Sequence, residues 1–228
     1  MDPGPRGAVP ASVQAPGSTW YHVGMTDRAS APRQENAEQR IFQAAVDLFA
    51  ARGFAATGIR QIAEAVGVTT ATLYYYARTK DDLLLQIMQT GLAELLEEGQ
   101  AAVAKAADPA SRIRNLVSVH VRFGAVNPNR ARVIDNEFQW LKGSHRATIV
   151  ALRDGYEALW STAIDEGIST RIFRPRTPSL ARLALLEMCS GVAHWYRPDG
   201  STPISEIVVA YQEMALAILI AVADSPSS

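Results

Sequence analysis

Twelve consecutive residues, 69–80, combine hydroxyl groups, aromatic rings and cations at the spacing of a short helix. The polar and aromatic members of this segment are Thr69, Thr70, Thr72, Tyr74, Tyr75, Tyr76, Arg78 and Lys80. Threonine and tyrosine hydroxyls can reach phosphates and base edges, and arginine and lysine neutralise phosphate charge. The segment therefore predicts a helix that faces DNA. The alternative is that the tyrosines pack between helices and the threonines are only solvated.

A tight turn precedes this helix. Ala63 is small enough for two helices to cross closely, and Gly67 tolerates the positive φ that a sharp turn requires. Val68 and Leu73 would then pack the second helix onto the first. Residues 58–82 therefore predict a helix-turn-helix, whose second helix enters the major groove of DNA.

A further helix over residues 38–52 is predicted by apolar residues at helical spacing, with Gly53 as its end and Phe54 as an anchor. Gly58 is an acceptable N-cap of the next helix, and Gln61 can reach back to its backbone.

Residues 38–84 resemble the N-terminal DNA-binding domain of the TetR family of transcriptional regulators. The matching patterns are I-x-x-A-A-x-x-L-F-A-x-x-G-F, I-R-x-I-A-x-x-V-G-V and T-L-Y-Y-Y-x-x-x-K-x-x-L. The family usually has Ser or Thr at Gly58 and an aromatic residue at Ala77, so this chain departs at two positions. The resemblance implies phosphate contacts by Thr57 and Arg60, and Lys80 as the anchor on the DNA backbone.

The resemblance also implies an all-α fold, a three-helix DNA-binding domain followed by a six-helix ligand-binding and dimerisation domain. Residues 1–33 are rich in Pro, Gly, Ala and Ser and predict a disordered arm. The DNA-binding domain is expected over 34–80 and the second domain over 81–228. Proline and glycine breaks predict six helices in the second domain, over residues 81–106, 110–126, 129–142, 144–167, 179–196 and 204–223.

Composition excludes several classes of function. The 228 residues carry one cysteine, Cys189, in an apolar run, which predicts a buried thiol in a cytoplasmic protein without disulfides. No run of eighteen apolar residues indicates a membrane span. The four histidines are scattered, and neither a nucleophile elbow nor a Gly-rich phosphate loop is present. We therefore expect no catalysis, no cofactor and no metal site.

The last two predicted helices are apolar around more of their circumference than one core contact requires, which favours a homodimer. In the TetR family these helices form a four-helix bundle across a two-fold axis, and the dimer places two recognition helices about 34–36 Å apart on a palindromic operator. The predicted interface residues are Leu180, Leu183, Leu186, Glu187, Gly191, Tyr211, Met214 and Ile218. An ordinary monomer core is the alternative.

Aromatic and polar residues interspersed with apolar ones along the middle helices predict an apolar cavity for a small effector. The candidate lining residues are Met88, Leu92, His120, Phe123, Asn136, Phe138, Trp140, Tyr156 and Trp160. Residues 195–198 and 203–207 resemble a TetR subgroup that controls fatty-acid or steroid breakdown and responds to acyl-CoA thioesters. Arg174 and its neighbours Arg146, Arg153, Arg171, Arg176 and Arg182 would then hold the nucleotide phosphates, unless they form a solvated basic loop.

These observations predict a repressor that leaves a palindromic operator when an apolar effector, possibly an acyl-CoA, enters the second domain. The effector would push the helix that follows Lys80 and change the spacing of the recognition helices. The alternatives are a DNA-binding regulator without a ligand and an enzyme on a helical scaffold.

Overall fold

The computed structural model describes residues 31–220, with side chains from residue 37 onward, and every regular element in this range is helical. The elements are α1 (Ala31–Arg52), α2 (Ile59–Val66), α3 (Thr70–Tyr76), α4 (Lys80–Ala104), α5 (Pro109–Val126), α6 (Pro128–Asn136), the 3-10 helix η1 (Phe138–Trp140), α7 (Gly143–Ser169), α8 (Pro178–Ser190), α9 (Val192–Trp195) and α10 (Ile204–Ile220). The predicted all-α fold is confirmed.

Most predicted helix boundaries agree with the structure because proline and capping residues set them. Asp108 accepts a hydrogen bond from the Ser111 backbone N–H at 2.9 Å, and Pro109 follows it as the first residue of α5. Pro128 begins α6 in the same way. Thr79 caps α4 through a 3.0 Å bond from the backbone N–H of Asp82.

Four predicted boundaries are wrong. The helix expected over 38–52 begins earlier, at Ala31. The helix expected over 129–142 ends at Asn136 and is followed by the single turn of η1. The helix expected over 179–196 is interrupted at Gly191, which separates α8 from α9. The arm expected over 1–33 overlaps α1, which begins at Ala31, and its other residues lie outside the described range.

A continuous hydrophobic core joins the two predicted domains. Phe49, Ile62 and Leu73 are buried among α1–α3, and Met88 of α4 and Trp160 of α7 are buried in the second part. α4 packs against α5, α6 and α7, and α1 packs against both α2 and α6. α4 and α6 therefore contact both parts of the molecule.

The cysteine is buried, and none of the described helices could span a membrane. Cys189 is a free cysteine, fully buried in α8, and burial raises the pKa of its thiol to about 12. The prediction of a buried cysteine is therefore confirmed. Among residues 31–220, no helix is long and apolar enough to cross a membrane.

Candidate DNA interface and effector cavity

The turn between α2 and α3 has the predicted geometry. Gly67 adopts φ 69° and ψ 34°, a left-handed conformation that L-residues with a side chain rarely adopt. The backbone N–H of Val68 donates to the Ala63 carbonyl at 3.0 Å, which closes the end of α2. The Gln61 side chain accepts from the Gly58 N–H at 2.8 Å, so the predicted cap is confirmed as well.

The outer side of α3 presents a polar surface that we call the recognition face: Thr69, Thr72, Tyr74, Tyr75 and Arg78. All five are exposed, and Tyr74 and Tyr75 reach 50% and 73% of full exposure. The Thr69 hydroxyl accepts from the Thr72 N–H at 3.1 Å and lies 2.9 Å from the Thr72 hydroxyl. This cap fixes the first turn of α3 while leaving hydroxyl groups at the surface.

Two of the predicted DNA contacts lie beside this face, on the supporting elements. Arg60 is exposed at the first turn of α2, and Thr70 is half-buried at the start of α3. Leu73, on the opposite side of α3, is fully buried and attaches the helix to the core.

Thr57 and Lys80 have internal roles that differ from those predicted. The Thr57 side chain is 1% exposed, and its hydroxyl donates to the Gly53 carbonyl at 2.9 Å. The Lys80 ammonium donates to the carbonyls of Phe54 and Thr57 at 2.7 and 2.9 Å and lies 4.1 Å from the centre of the Phe54 ring. We therefore correct both assignments. The Thr57 hydroxyl faces the interior, and Lys80 fastens α4 to the loop between α1 and α2.

An apolar cavity of about 150 Å³ lies among α4, α5, α6, α7 and α8. Leu92 and Leu95 contribute from α4, Phe123 from α5 and Ile134 from α6. A second, polar cavity of about 310 Å³ shares four lining residues with it and is otherwise bounded by Asn136, Gly191 and His194. The shared residues are Asp135, Arg153, Glu187 and Ser190.

Two buried polar side chains form part of the wall of the apolar cavity. His120 of α5 is 8% exposed, and its Nε2 lies 3.1 Å from the Ser190 hydroxyl. Burial lowers the pKa of His120 to about 4, so the ring is neutral at pH 7. Tyr156 of α7 is 3% exposed, and burial raises the pKa of its hydroxyl well above the usual value.

Charged groups surround the junction of the two cavities. Loss of water around Asp135 raises its pKa to about 6, and the charge of Arg153 opposes this rise. Its carboxylate remains accessible from the cavity, although the surrounding protein displaces much of its water. Arg153 donates to the Ile134 carbonyl at 2.5 Å, and its guanidinium lies 4.4 Å from the Phe138 ring centre.

The predicted ligand-binding residues divide into two groups. Leu92, His120, Phe123 and Tyr156 line the apolar cavity, and Asn136 lines the polar one. The other five candidates, which do not line either cavity, are Met88, Phe138, Trp140, Trp160 and Arg174.

Each of these five has a different structural place. Met88 and Trp160 are fully buried in the core, and Trp160 lies behind Tyr156 with their ring centres 6.4 Å apart. Phe138 lies against the guanidinium groups of two arginines, and Trp140 packs on Phe54 of the DNA-binding part at 6.2 Å. Arg174 lies in the α7–α8 loop, where its backbone N–H donates to the Leu219 carbonyl.

The cavity also contains residues that were not among the candidates. They include Leu95, Asp135, Glu157 and Ser190. Helical spacing offered one signal, because Leu95 lies three residues after Leu92 on the same side of α4. Asp135 and Glu157 gave no such signal in the sequence, because the solvent-facing side of a helix carries the same residue types.

The predicted dimer residues lie on two helices with a partly exposed apolar surface. Leu180 and Leu183 of α8 are 61% and 44% exposed, and Met214 and Ile218 of α10 are 48% and 37% exposed. Leu186, Gly191 and Tyr211 are half-buried, and Glu187 is exposed. Leu183, Leu186 and Glu187 also line the apolar cavity, so α8 separates that cavity from the exposed surface.

An exposed polar helix after a tight turn, attached to a larger helical part, is the arrangement of a helix-turn-helix DNA-binding protein. Residues 41–87 match the model of the bacterial regulatory proteins of the tetR family. Residues 106–219 match the model of the tetracyclin repressor-like C-terminal domain. The chain belongs to the TetR family of transcriptional regulators. It is therefore a DNA-binding regulator and not an enzyme.

Similar proteins support this classification. The HTH-type transcriptional repressor KstR2 of Rhodococcus jostii is 25% identical over 178 residues, covering 77% of this chain and 87% of KstR2. A bacterial regulatory protein in the tetR family from Rhodococcus RHA1 has 29% identity and a TM-score of 0.75, covering 82% of this chain and 98% of that one. AibR in complex with isovaleryl coenzyme A and operator DNA shares the fold with a TM-score of 0.70 at 24% identity, covering 81% and 98% of the two chains.

Proposed function

We propose that the chain is a homodimeric repressor that binds a palindromic operator and is released when a small acyl-CoA thioester occupies the apolar cavity. The recognition face contacts base edges and phosphates, with Arg60 and Thr70 beside it. The similarity to the repressor KstR2 supports repression as the output. The complex of the similarly folded AibR with isovaleryl coenzyme A and operator DNA supports an acyl-CoA as the class of effector.

One observation carries the proposal: α4 extends from the cavity to the DNA-binding part. α4 begins at Lys80, whose ammonium holds the carbonyls of Phe54 and Thr57. The same helix supplies Leu92 and Leu95 to the cavity wall. Lys80 and Leu92 are about 18 Å apart along a helix that rises 1.5 Å per residue. An effector that displaces Leu92 and Leu95 would therefore tilt α4, and the contacts of Lys80 would transmit this tilt to the DNA-binding part.

A second connection runs through η1 in parallel with α4. Arg153 lines both cavities, and its guanidinium lies against Phe138. Two residues later, Trp140 packs on Phe54, which lies under the Lys80 ammonium. Both connections converge on the loop between α1 and α2, so a change at Arg153 reaches the same point as a shift of α4.

Dimerisation through α8 and α10 would give the two recognition faces a fixed spacing. The exposed leucines of α8 and the exposed Met214 and Ile218 of α10 provide an apolar surface for a second copy. A palindromic operator requires two recognition helices one helical turn of DNA apart. Effector binding would weaken DNA binding by the difference in effector affinity between the two spacings.

The cavity favours a thioester with a small acyl group. Its volume of about 150 Å³ accommodates a short chain or a single ring, and the adjoining polar cavity leads outward past Arg153. Arg182 pairs with Glu157 at 3.2 Å, whereas Arg171, Arg174 and Arg176 are exposed in the loop before α8. These three cations are the available partners for nucleotide phosphates outside the cavity.

A DNA mobility-shift titration tests the function. The full chain is mixed with DNA from upstream of its own gene, and isovaleryl-CoA, isovalerate and CoA are added in separate series. We expect specific binding without ligand, and release by the thioester at concentrations at which the acid and CoA alone have no effect. Unchanged DNA occupancy with a panel of saturating thioesters would contradict effector release by this class. Release by the free acid at the same concentration would contradict the role of CoA.

A regulator that binds DNA without an effector is the alternative function. The Leu92→Trp variant separates the two, because it fills the apolar cavity from α4. Effector release predicts that this variant loses its response to the thioester, while a variant of the exposed Val209 of α10 retains it. Unchanged operator binding by both variants at every ligand concentration would favour the alternative.

A further inference from the structure

Two buried polar atoms in the wall of the apolar cavity lack a hydrogen-bond partner within the described residues. They are Nδ1 of His120 and the hydroxyl oxygen of Tyr156; the Trp160 side chain is close enough to lower the pKa of Tyr156 but does not form a hydrogen bond of normal geometry with it. Both side chains are more than nine-tenths buried, and both line the cavity. Buried polar groups in native proteins are almost always hydrogen-bonded, and an unpaired group calls for a specific explanation. Neighbouring atoms cover both, so a ligand that shifts the two side chains as it enters the cavity would supply the missing partner.

The two side chains lie side by side. The rings of His120 and Tyr156 meet edge to face with their centres 5.6 Å apart. The other ring nitrogen of His120 lies 3.1 Å from the Ser190 hydroxyl, which fixes the orientation of the imidazole. Behind them, Trp160 is fully buried and closes the wall. A single polar group on a ligand can therefore bind at one place on an otherwise apolar surface.

The charges around the cavity disfavour an anion at this place. Asp135, Glu157 and Glu187 line the apolar cavity; Arg182 pairs with Glu157, which leaves Asp135 and Glu187 against the single lining cation, Arg153. Arg153 already donates to the Ile134 carbonyl and lies against the Phe138 ring. The His120 ring does not add a cation, since burial keeps it neutral at pH 7. A ligand carboxylate would thus enter a region dominated by negative charge.

The volume limits the size of the group that enters. An apolar protein cavity of 150 Å³ is large enough to bind benzene, and the cavity in this chain has about that volume. Its apolar lining includes Leu92, Leu95, Phe123 and Ile134. A compact hydrocarbon group of about six carbons therefore fits the measured space.

We propose that the apolar cavity selects an uncharged oxygen function, a ketone or a hydroxyl, on a compact hydrocarbon skeleton. The Tyr156 hydroxyl donates to the ligand oxygen, and His120 Nδ1 is its second partner. A ketone requires the tautomer with hydrogen on Nδ1, whereas a hydroxyl satisfies either tautomer. This inference rests on the proposed function only in treating the cavity as the effector site. It adds that the part of the effector inside the cavity carries an oxygen.

Calorimetric titration of the full-length protein with four small probes tests this selection. Toluene and phenol have nearly the same shape and differ by a methyl group against a hydroxyl. Cyclohexanone presents a carbonyl, and benzoate presents an anion. We expect phenol and cyclohexanone to bind about fivefold or more tightly than toluene, the effect of one net hydrogen bond. Benzoate should bind more weakly than phenol.

The Tyr156→Phe variant identifies the donor. It should weaken cyclohexanone binding about fivefold and leave toluene binding unchanged. Tyr196→Phe is the matched control, because Tyr196 is a half-buried tyrosine after α9 that does not line either cavity. The comparison of probes on the unaltered protein decides the question even where a variant fails to fold.

Toluene binding as tightly as phenol and cyclohexanone would overturn the inference, and so would benzoate binding most tightly. These outcomes are independent of the DNA experiment. Discrimination among the probes without operator release by any thioester would support the cavity chemistry and contradict the proposed effector class. Operator release by a thioester, without discrimination among the four probes, would support the proposed effector class and contradict the cavity chemistry.

Discussion

The recognition face and the apolar cavity use similar residue types in opposite environments. Tyr74 is half exposed and Tyr156 is 3% exposed, although both are tyrosines on helices. The side chains of the recognition face are exposed, so substitutions there should alter the proposed DNA binding with little effect on folding. In the cavity wall, the same groups are part of the core, so substitutions should alter stability and ligand binding together.

The largest expected effect is on the stability of the cavity wall. Trp160→Ala removes a fully buried indole behind Tyr156 and should lower the free energy of unfolding by about 3–5 kcal/mol. Trp195→Ala is the matched control, because Trp195 is 49% exposed, and it should change stability by less than about 1 kcal/mol. Denaturant unfolding at fixed protein concentration measures both. Similar losses of unfolding free energy for the two variants would show that the cavity wall is no more sensitive to substitution than the exposed surface.

The pH dependence of stability should reveal the buried imidazole. The pKa of His120 is about 4 in the folded chain and 6.5 in its ordinary state, so only the unfolded chain takes up the proton between these values. Its contribution should therefore lower stability as pH falls from 6.5 to 4, by on the order of 3 kcal/mol. Asp135 changes the pH dependence of stability in the opposite direction. Loss of water raises its pKa to about 6, so its contribution to stability is lost as pH rises.

Unfolding of Asp135→Asn and of Asp135→Asn/His120→Asn at several pH values separates these two contributions. The slope between pH 4 and 6.5 should be smaller in the double variant. The exposed His194 is the control, and His194→Asn should leave the slope unchanged. An equal slope with and without His120 would show that its pKa is not lowered in the folded protein.

Lys80 lies in the DNA-binding part but should behave like a residue of the core. Lys80→Met removes the side-chain donor to the Thr57 carbonyl and one of the two donors to the Phe54 carbonyl, and should destabilise the protein by about 1–3 kcal/mol. Operator affinity should fall as a consequence of the loosened α1–α2 loop. Thermal unfolding checks the first effect. An unchanged Tm together with a reduced salt dependence of DNA binding would restore Lys80 as a direct phosphate contact.

The smallest effect on folding is expected at Arg78, two residues before Lys80. Arg78 is exposed on the recognition face, so Arg78→Ala should leave the Tm unchanged and weaken operator binding by about tenfold. The slope of log affinity against log salt should fall by about one for each subunit that contacts phosphate. Arg197→Ala, at an exposed site after α9, should leave affinity and slope unchanged. Equal slopes for the two variants would exclude a phosphate contact by Arg78.

Local sequence predicted the DNA-binding part well because its constraints lie within a few residues. Gly67 was expected to adopt a left-handed conformation, and Gln61 was expected to cap Gly58; both features are present. Thr57 and Lys80 were assigned to DNA because residue type does not reveal that two distant segments meet. Lys80 reaches a carbonyl 26 residues earlier in the chain, and this contact depends on how α4 packs on α1.

The cavity was less predictable for the same reason. Phe138 and Trp140 have the residue types of a ligand site, but η1 directs Phe138 against arginines and Trp140 against Phe54. Asp135 has the type of a solvated surface residue, but it lines both cavities. Five helices contribute to the wall, and small changes in their crossing decide which side chains line it.

By itself, the sequence determined the helical fold, the turn at Gly67 and the exposed polar helix that follows it, because these depend on backbone preference and on polarity at short range. Only the tertiary structure decided that Lys80 joins two parts of the molecule and that His120 and Tyr156 have unpaired atoms in a cavity wall. The physical reason is that burial and hydrogen-bond satisfaction depend on residues that are far apart in the chain and become neighbours only when the helices pack.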